Sequence, residues 1–203
     1  MDIIQTLAQE LGKNVQHVEN VVRLLDEGNT IPFIARYRKE LHGTMDDTSL
    51  RTLEERLQYL RGLEERREAV KKSIDEQGKL TDELAAAIDS AKTLAEVEDL
   101  YRPYKQKRRT RATMAKEKGL EPLAALIFAQ ERGCPRPEDA ARDFIAPERG
   151  VESVEDALQG ASDIIAEQIS DDAAIRKSLR ALISRQGQLV SKAATEDDSV
   201  YRL

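Results

Sequence analysis

The sequence predicts an all-α protein, a multi-helix bundle built around one helix of about 30 residues. The good helix formers Glu, Leu, Ala, Arg and Lys dominate its 203 residues. Charged residues make up 34% and aromatic residues only 4%, a balance that suits amphipathic helices with solvated outer faces. A β-sandwich needs aromatic and β-branched surface that this composition lacks. Apolar residues recur three and four apart along most of the chain.

Ile3, Ile4, Leu7, Ala8 and Leu11 mark a first helix, ended by Gly12. Asn14 is placed as the N-cap of a second, with Val15, Val18, Val22 and Leu25 on its apolar face and Gly28 closing it. Ile31 and Pro32 open a third, which is expected to bury Ile31, Ile34, Tyr37 and Leu41 and to stop at Gly43. The run Asp46 to Ser49 offers caps for the longest element, spanning about residues 47–77 before Gly78. Leu50, Leu53, Leu57, Leu60 and Leu63 form its seam, continued by Val70 and Ile74, while Arg67 sits where a coiled coil would want leucine. Arg51 with Glu55, Arg61 with Glu65, and Glu68 with Lys72 stand at ion-pair spacing on it.

Thr81 caps a short helix through Ala91, and Thr93 with Glu96 makes a capping box for a helix carrying Leu94, Val97, Leu100 and Tyr101, ended by Pro103. Arg102 to Arg111 lacks apolar periodicity and reads as a loop. A turn of helix to Lys118 follows, then helices opened by Pro122 (Leu123, Leu126, Ile127) and Pro137 (Ala140, Ala141, Phe144, Ile145). Ser153 with Asp156 starts the next, and Asp171 or Asp172 caps the last, with Ile175, Leu179, Leu182 and Ile183 expected to face inward and Gly187 at its end. Gln188 to Ser191 reads as a short strand.

Several function classes find no support. No apolar run approaches the ~18 residues of a membrane span, so no membrane partner is expected. The N-terminus lacks the basic-then-apolar order of a signal peptide, and the single Cys134 suits a reducing cytoplasm. His17 and His42 lack neighbours at metal-ligand spacing and read as surface or capping residues, so no metal and no cofactor are expected. Gly78-Lys79 lacks the upstream glycine of a phosphate loop, and the doublets Asp46-Asp47 and Asp171-Asp172 read as caps. Catalysis is not expected.

The one segment with functional content is basic. Net charge is −6, yet between Arg102 and Lys118 eight basic residues face one acidic residue, Glu117, leaving −13 for the rest. Arg102, Lys105, Lys107, Arg108, Arg109 and Arg111 cluster with Tyr101 and Tyr104 interleaved. Guanidinium forks match phosphate oxygens, and tyrosines can stack on unpaired bases. The candidate nucleic-acid-binding set is therefore those six cations with Tyr104. The competing reading has the loop pair with acidic residues of the same chain. Arg36, Arg38 and Lys39 form a smaller basic group, read as a solvated helix face.

Two stretches resemble a known family. Thr30 to Glu40 (TIPFIARYRKE) with Leu53 to Arg67 (LEERLQYLRGLEERR), and Leu100 to Ala124 (LYRPYKQKRRTRATMAKEKGLEPLA), are similar to signatures of the Tex family of bacterial transcription accessory proteins. Arg102 stands where that family often has leucine, Gln106 where it often has proline, and Leu41-His42 replaces a small polar pair. The resemblance implies a helical N-terminal region with a helix-turn-helix-like unit, here about Ala112 to Gln186, as part of a longer protein. The rest of that protein would carry a ribonuclease-H-like domain, helix-hairpin-helix elements and an S1-type barrel that is its main RNA-binding element. The expected organisation is 1–105 as an N-terminal helical region, 106–187 as the helix-turn-helix-like region, and 188–203 as the start of a further segment. The expected partners are nucleic acid, RNA or DNA without sequence preference, and the transcription machinery; the alternative is an architectural module with no nucleic-acid contact.

Overall fold

The computed structural model describes residues 2–105 and 109–192. Among them there are helices throughout, and the only β feature is an isolated bridge between Ala146 and Val151, so the all-α expectation holds. The chain divides into two compact units, Met1–Tyr104 and Lys105–Leu203.

The first unit contains α1 (Ile3–Leu11), α2 (Val15–Asp26), α3 (Ile31–Tyr37), α4 (Lys39–His42), α5 (Asp47–Asp75), α6 (Asp82–Ser90) and α7 (Leu94–Tyr101). Side-chain caps fix most of the starts, because each satisfies an orphan amide within three residues. Asn14 accepts from the Gln16 amide at 2.9 Å, and Asp46 from that of Ser49 at 2.7 Å. The Thr93 box is a variant: its hydroxyl takes the Glu96 amide, but the Glu96 carboxylate reaches back to Lys92.

The 29 residues of α5 make it roughly 43 Å long and give it two cores to back. Leu50, Leu53, Leu57 and Leu60 pack with Leu7, Val18, Val21, Ile31 and Ile34 from α1 to α3. Leu63, Val70 and Ile74 pack with Ile88, Ala91 and Val97 around α6 and α7. Arg67 continues the seam inside: it is 3% exposed, with Nη1 donating to Glu64 at 2.8 Å and Nη2 to the Ala91 carbonyl, while Nε has no partner.

Three expectations need correction here. The third helix breaks at Arg38 (φ −132°, ψ 36°) and resumes as α4. The break re-phases the chain, so Tyr37 stands 56% exposed while His42 is buried with neither ring nitrogen partnered. His42 is thus a core residue, not a surface or capping one. His17 is half-buried, with its ring against Gly43; a Cβ on Gly43, which has φ +60°, would lie 2.0 Å from Nδ1. The ion pairs expected along α5 are replaced, one by a longer-range pair and two by other pairs within the helix. Arg61 grips Asp26 of α2 through two bonds (2.7 and 2.8 Å), Arg51 turns to Asp47, and Glu68 pairs with Lys71. A bidentate fork fixed by two packed helices outcompetes a single exposed i,i+4 contact.

The second unit contains α8 (Arg111–Glu117), α9 (Glu121–Ala129), α10 (Pro137–Ala141), α11 (Val154–Asp171) and α12 (Ala173–Gln186). Ala157, Ala161 and Ile164 of α11 pack with Ala112, Ala115, Leu120, Leu123 and Ala140. Small residues allow a close crossing: a Cβ on Gly160 would come within 2.3 Å of Leu120 Cδ1. The inward face expected for α12 is not inward. Ile175, Leu179, Leu182 and Ile183 are 38%, 50%, 42% and 66% exposed. Leu126 and Ile145 are also on the surface, and residues 188–191 form no strand, Leu189 and Val190 standing in solvent.

Candidate nucleic-acid interface

Residues 102–111 carry the chain from the first compact unit into the second. Pro103 ends α7 in a single 3₁₀ turn, Arg102–Tyr104, because proline offers no amide to extend the ladder. Arg102 and Lys105 are exposed. Tyr104 is half-buried against the core of α6 and α7, and its carbonyl accepts from Gln77 Nε2 at 3.0 Å. Tyr101 is also committed inward, its hydroxyl 2.9 Å from Ser73 Oγ and the Arg66 guanidinium 5.4 Å from its ring centre. The two tyrosines interleaved in the basic run thus serve packing within the first unit. Lys107 and Arg108 lie outside the described residues.

Thr110 restarts regular structure. Its hydroxyl accepts from the Thr113 amide at 3.0 Å, making Arg111 the first residue of α8 and not part of a loop. Arg109 donates through Nη2 to Glu117 at 2.6 Å, and Arg111 lies 3.6 Å from Asp163 of α11. Both arginines nevertheless keep most of their side chains in water, 67% for Arg109 and 79% for Arg111. A pair this exposed contributes at most ~1 kcal/mol, and a guanidinium carries five N–H donors. Exchange of a carboxylate for a phosphate therefore costs little at either position. Lys116 pairs with Glu121 at 3.3 Å, and Lys118 donates to the Gly150 carbonyl at 2.7 Å, so the far end of the basic run is tied down locally.

Among the described residues, no group of three or more His, Cys, Asp or Glu side chains is placed to hold a metal ion. No described helix is long and apolar enough to cross a membrane. The Cys134 thiol is half-buried, 3.8 Å from the Leu126 carbonyl.

A second cationic cluster stands where α3 meets α4: the Arg36 guanidinium lies by the Tyr37 ring and that of Arg38 by the Phe33 ring, the two rings touch, and Lys39 follows in sequence. The spacing of the two rings, four apart beside the basic triplet, was the available signal. The break at Arg38 that exposes Tyr37 had none.

Comparison with known proteins places the chain. A family model described as "Tex-like protein N-terminal domain" matches residues 1–75, and one described as "Tex central region-like" matches residues 134–200. The uncharacterized protein YdcI of Bacillus subtilis is 47% identical over 208 residues, covering 98% of this chain and 28% of its own length. The transcriptional accessory protein Tex of Neisseria gonorrhoeae is 48% identical, covering 89% of this chain and 23% of itself. The human S1 RNA-binding domain-containing protein 1 is 31% identical over 84% of this chain and 17% of its own length. The chain thus spans about a quarter of the bacterial relatives it matches.

Proposed function

The chain belongs to the Tex family, as part of its N-terminal region, and from that premise we propose that it is a non-catalytic helical scaffold of a transcription accessory protein that adds nucleic-acid contacts of its own through residues 102–111. The contacts are to phosphate and indifferent to sequence. Arg109 and Arg111 carry the reading: each has a carboxylate neighbour, yet each leaves most of its side chain in solvent, available to a stronger anion. Arg102, Lys105, Lys107 and Arg108 add to the same local field in a chain that is otherwise acidic. Tyr104 contributes by holding the start of the segment against α7 and its core, not by stacking. The helix-turn-helix-like unit begins, on this reading, with α8 and α9, joined by a short turn through Gly119.

The test is a salt titration of this chain against labelled single- and double-stranded nucleic acid, beside a variant with Lys107, Arg108, Arg109 and Arg111 changed to Glu. Six phosphate contacts give a log–log slope near −5 on duplex, a loss of roughly 10³ in affinity from 50 to 200 mM salt. The variant is expected to bind far more weakly and with a flatter slope. Equal binding by both proteins, or no binding by either at low salt, leaves the architectural alternative, in which the segment only joins helical units.

A further inference from the structure

We infer that the corner where α3 meets α4 is a second, separate contact for single-stranded nucleic acid, in which unpaired bases stack on Tyr37 and the guanidiniums beside it. The proposal shares a ligand class with the reading above but rests on other residues.

The corner is built from the local sequence. Phe33 and Tyr37 are one helical turn apart, with ring centres 5.3 Å apart and planes tilted by 47°. Arg38 lies with its guanidinium carbon 5.2 Å from the Phe33 ring centre, and Arg36 with its own 6.0 Å from that of Tyr37. Arg38 also donates from Nη1 to the Tyr37 carbonyl at 3.1 Å, which holds it at the break between the helices. Four flat groups are thereby gathered on one short stretch, and neither ring belongs to a core cluster of the first unit.

Among the described residues, the cations beside them form no ion pair. All five arginines of α5 have carboxylate partners: Arg51 with Asp47, Arg56 with Glu10, Arg61 with Asp26, Arg66 with Glu98 and Arg67 with Glu64. Among the described residues, Arg36, Arg38 and Lys39 have no such pair, although the protein as a whole is acidic. An i,i+4 aromatic pair is by itself an ordinary helix contact. Its combination with three unpaired cations and a ring more than half in solvent is not explained by packing.

That combination selects the ligand. An acidic peptide satisfies the cations but has no use for the planar faces. Duplex nucleic acid offers phosphates but keeps its bases stacked inside. A single strand offers both phosphates and free base faces, and stacking tolerates any base. Arginine already lying over a ring extends the platform rather than blocking it, since a guanidinium is itself a planar stacking surface.

The experiment measures binding of the 203-residue chain to labelled oligouridine, to a duplex and to polyglutamate, for two variants with folding checked by circular dichroism. Tyr37→Ser removes a side chain exposed enough to leave the core intact. Arg36→Gln/Arg38→Gln/Lys39→Gln removes the charges. Tyr37→Ser is expected to weaken oligouridine binding about tenfold at unchanged salt slope, with duplex binding unaffected. The triple variant is expected to flatten the slope by about two. Ultraviolet crosslinking of oligouridine should map to the peptide containing Tyr37. Wild-type affinity and slope for both variants overturns the proposal. So does loss of polyglutamate binding alone, which makes the corner a protein-docking site. If the four-residue Glu variant of the basic segment loses binding and these two variants do not, the corner fails while the basic segment stands. If these two lose binding and the Glu variant does not, the corner stands and the basic segment fails.

Discussion

Replacing Arg67 by alanine and, separately, by methionine separates the two things this buried side chain does. Its stem fills the seam of α5, and its head donates to Glu64 and to the buried Ala91 carbonyl while leaving Nε unpartnered. Alanine deletes the stem, which costs ~2–4 kcal/mol in transfer and cavity terms. It also strips the Ala91 carbonyl of its donor, a further ~1–3 kcal/mol. Glu64 is 32% exposed and returns to water at little cost. Methionine keeps most of the volume and loses only the hydrogen bonds, while removing the orphaned Nε. The expected losses are therefore about 3–7 kcal/mol for Arg67→Ala and about 1–3 kcal/mol for Arg67→Met, against a typical domain stability of ~5–15 kcal/mol. Urea unfolding followed by tyrosine fluorescence reads this directly. The chain has no tryptophan, and four of its five tyrosines, Tyr37, Tyr59, Tyr101 and Tyr104, lie in the first unit. The two midpoints should differ by on the order of 1 M. Coincident midpoints, or a methionine variant no better than alanine, would refute the division of labour.

Two further outcomes can be checked on the same unit. Gly62 sits mid-way along α5 with nothing within 4 Å of where a Cβ would stand, so Gly62→Ala should raise stability by about 0.5–1 kcal/mol; Gly43→Ala, with its left-handed backbone and the His17 ring in the way, should lower it, and thermal melts of the two variants should move in opposite directions. Acid should weaken the unit: hydrogen bonds from Arg56 and Arg61 hold the Glu10 and Asp26 carboxyls below the usual carboxylate range, against a smaller opposing effect of burial. A lowered folded-state pKa stabilises above the unfolded value, near 4, and that contribution is lost as pH falls through the folded value. Glu10→Gln/Asp26→Asn should flatten the stability curve below about pH 4; an unchanged slope there removes these pairs as its cause.

The sequence was most legible where structure is decided within a few residues. Asn14, Asp46, Thr81, Thr93, Ser153 and Asp172 all cap the helices expected of them, since a cap needs only the amide two or three positions on. The leucine seam of α5 was legible for the same reason: periodicity is a local property. What failed required knowing a distant neighbour. Arg61 stands four residues from Glu65, but Asp26 on α2 offers a better fork, and no spacing rule reveals that. The ridge from Ile175 to Ile183 is periodic, yet periodicity says only that a face is apolar, not that anything lies against it. Of the basic segment, the concentration of charge was visible in composition. The inward commitment of Tyr101 and Tyr104 was not, because Ser73 and Gln77 meet them only after α5 and α7 pack.

The bare ridge of α12 also dictates how this chain behaves at the bench. Four branched aliphatic side chains in contact with water respond to the identity of the added salt and not only its strength. Sulfate and phosphate, excluded from such surfaces, drive molecules together, while chloride at the same ionic strength mostly screens the net charge of −6. Precipitation thresholds should therefore follow the Hofmeister ranking, and serine at Leu179 and Ile183 should narrow the gap between sulfate and chloride.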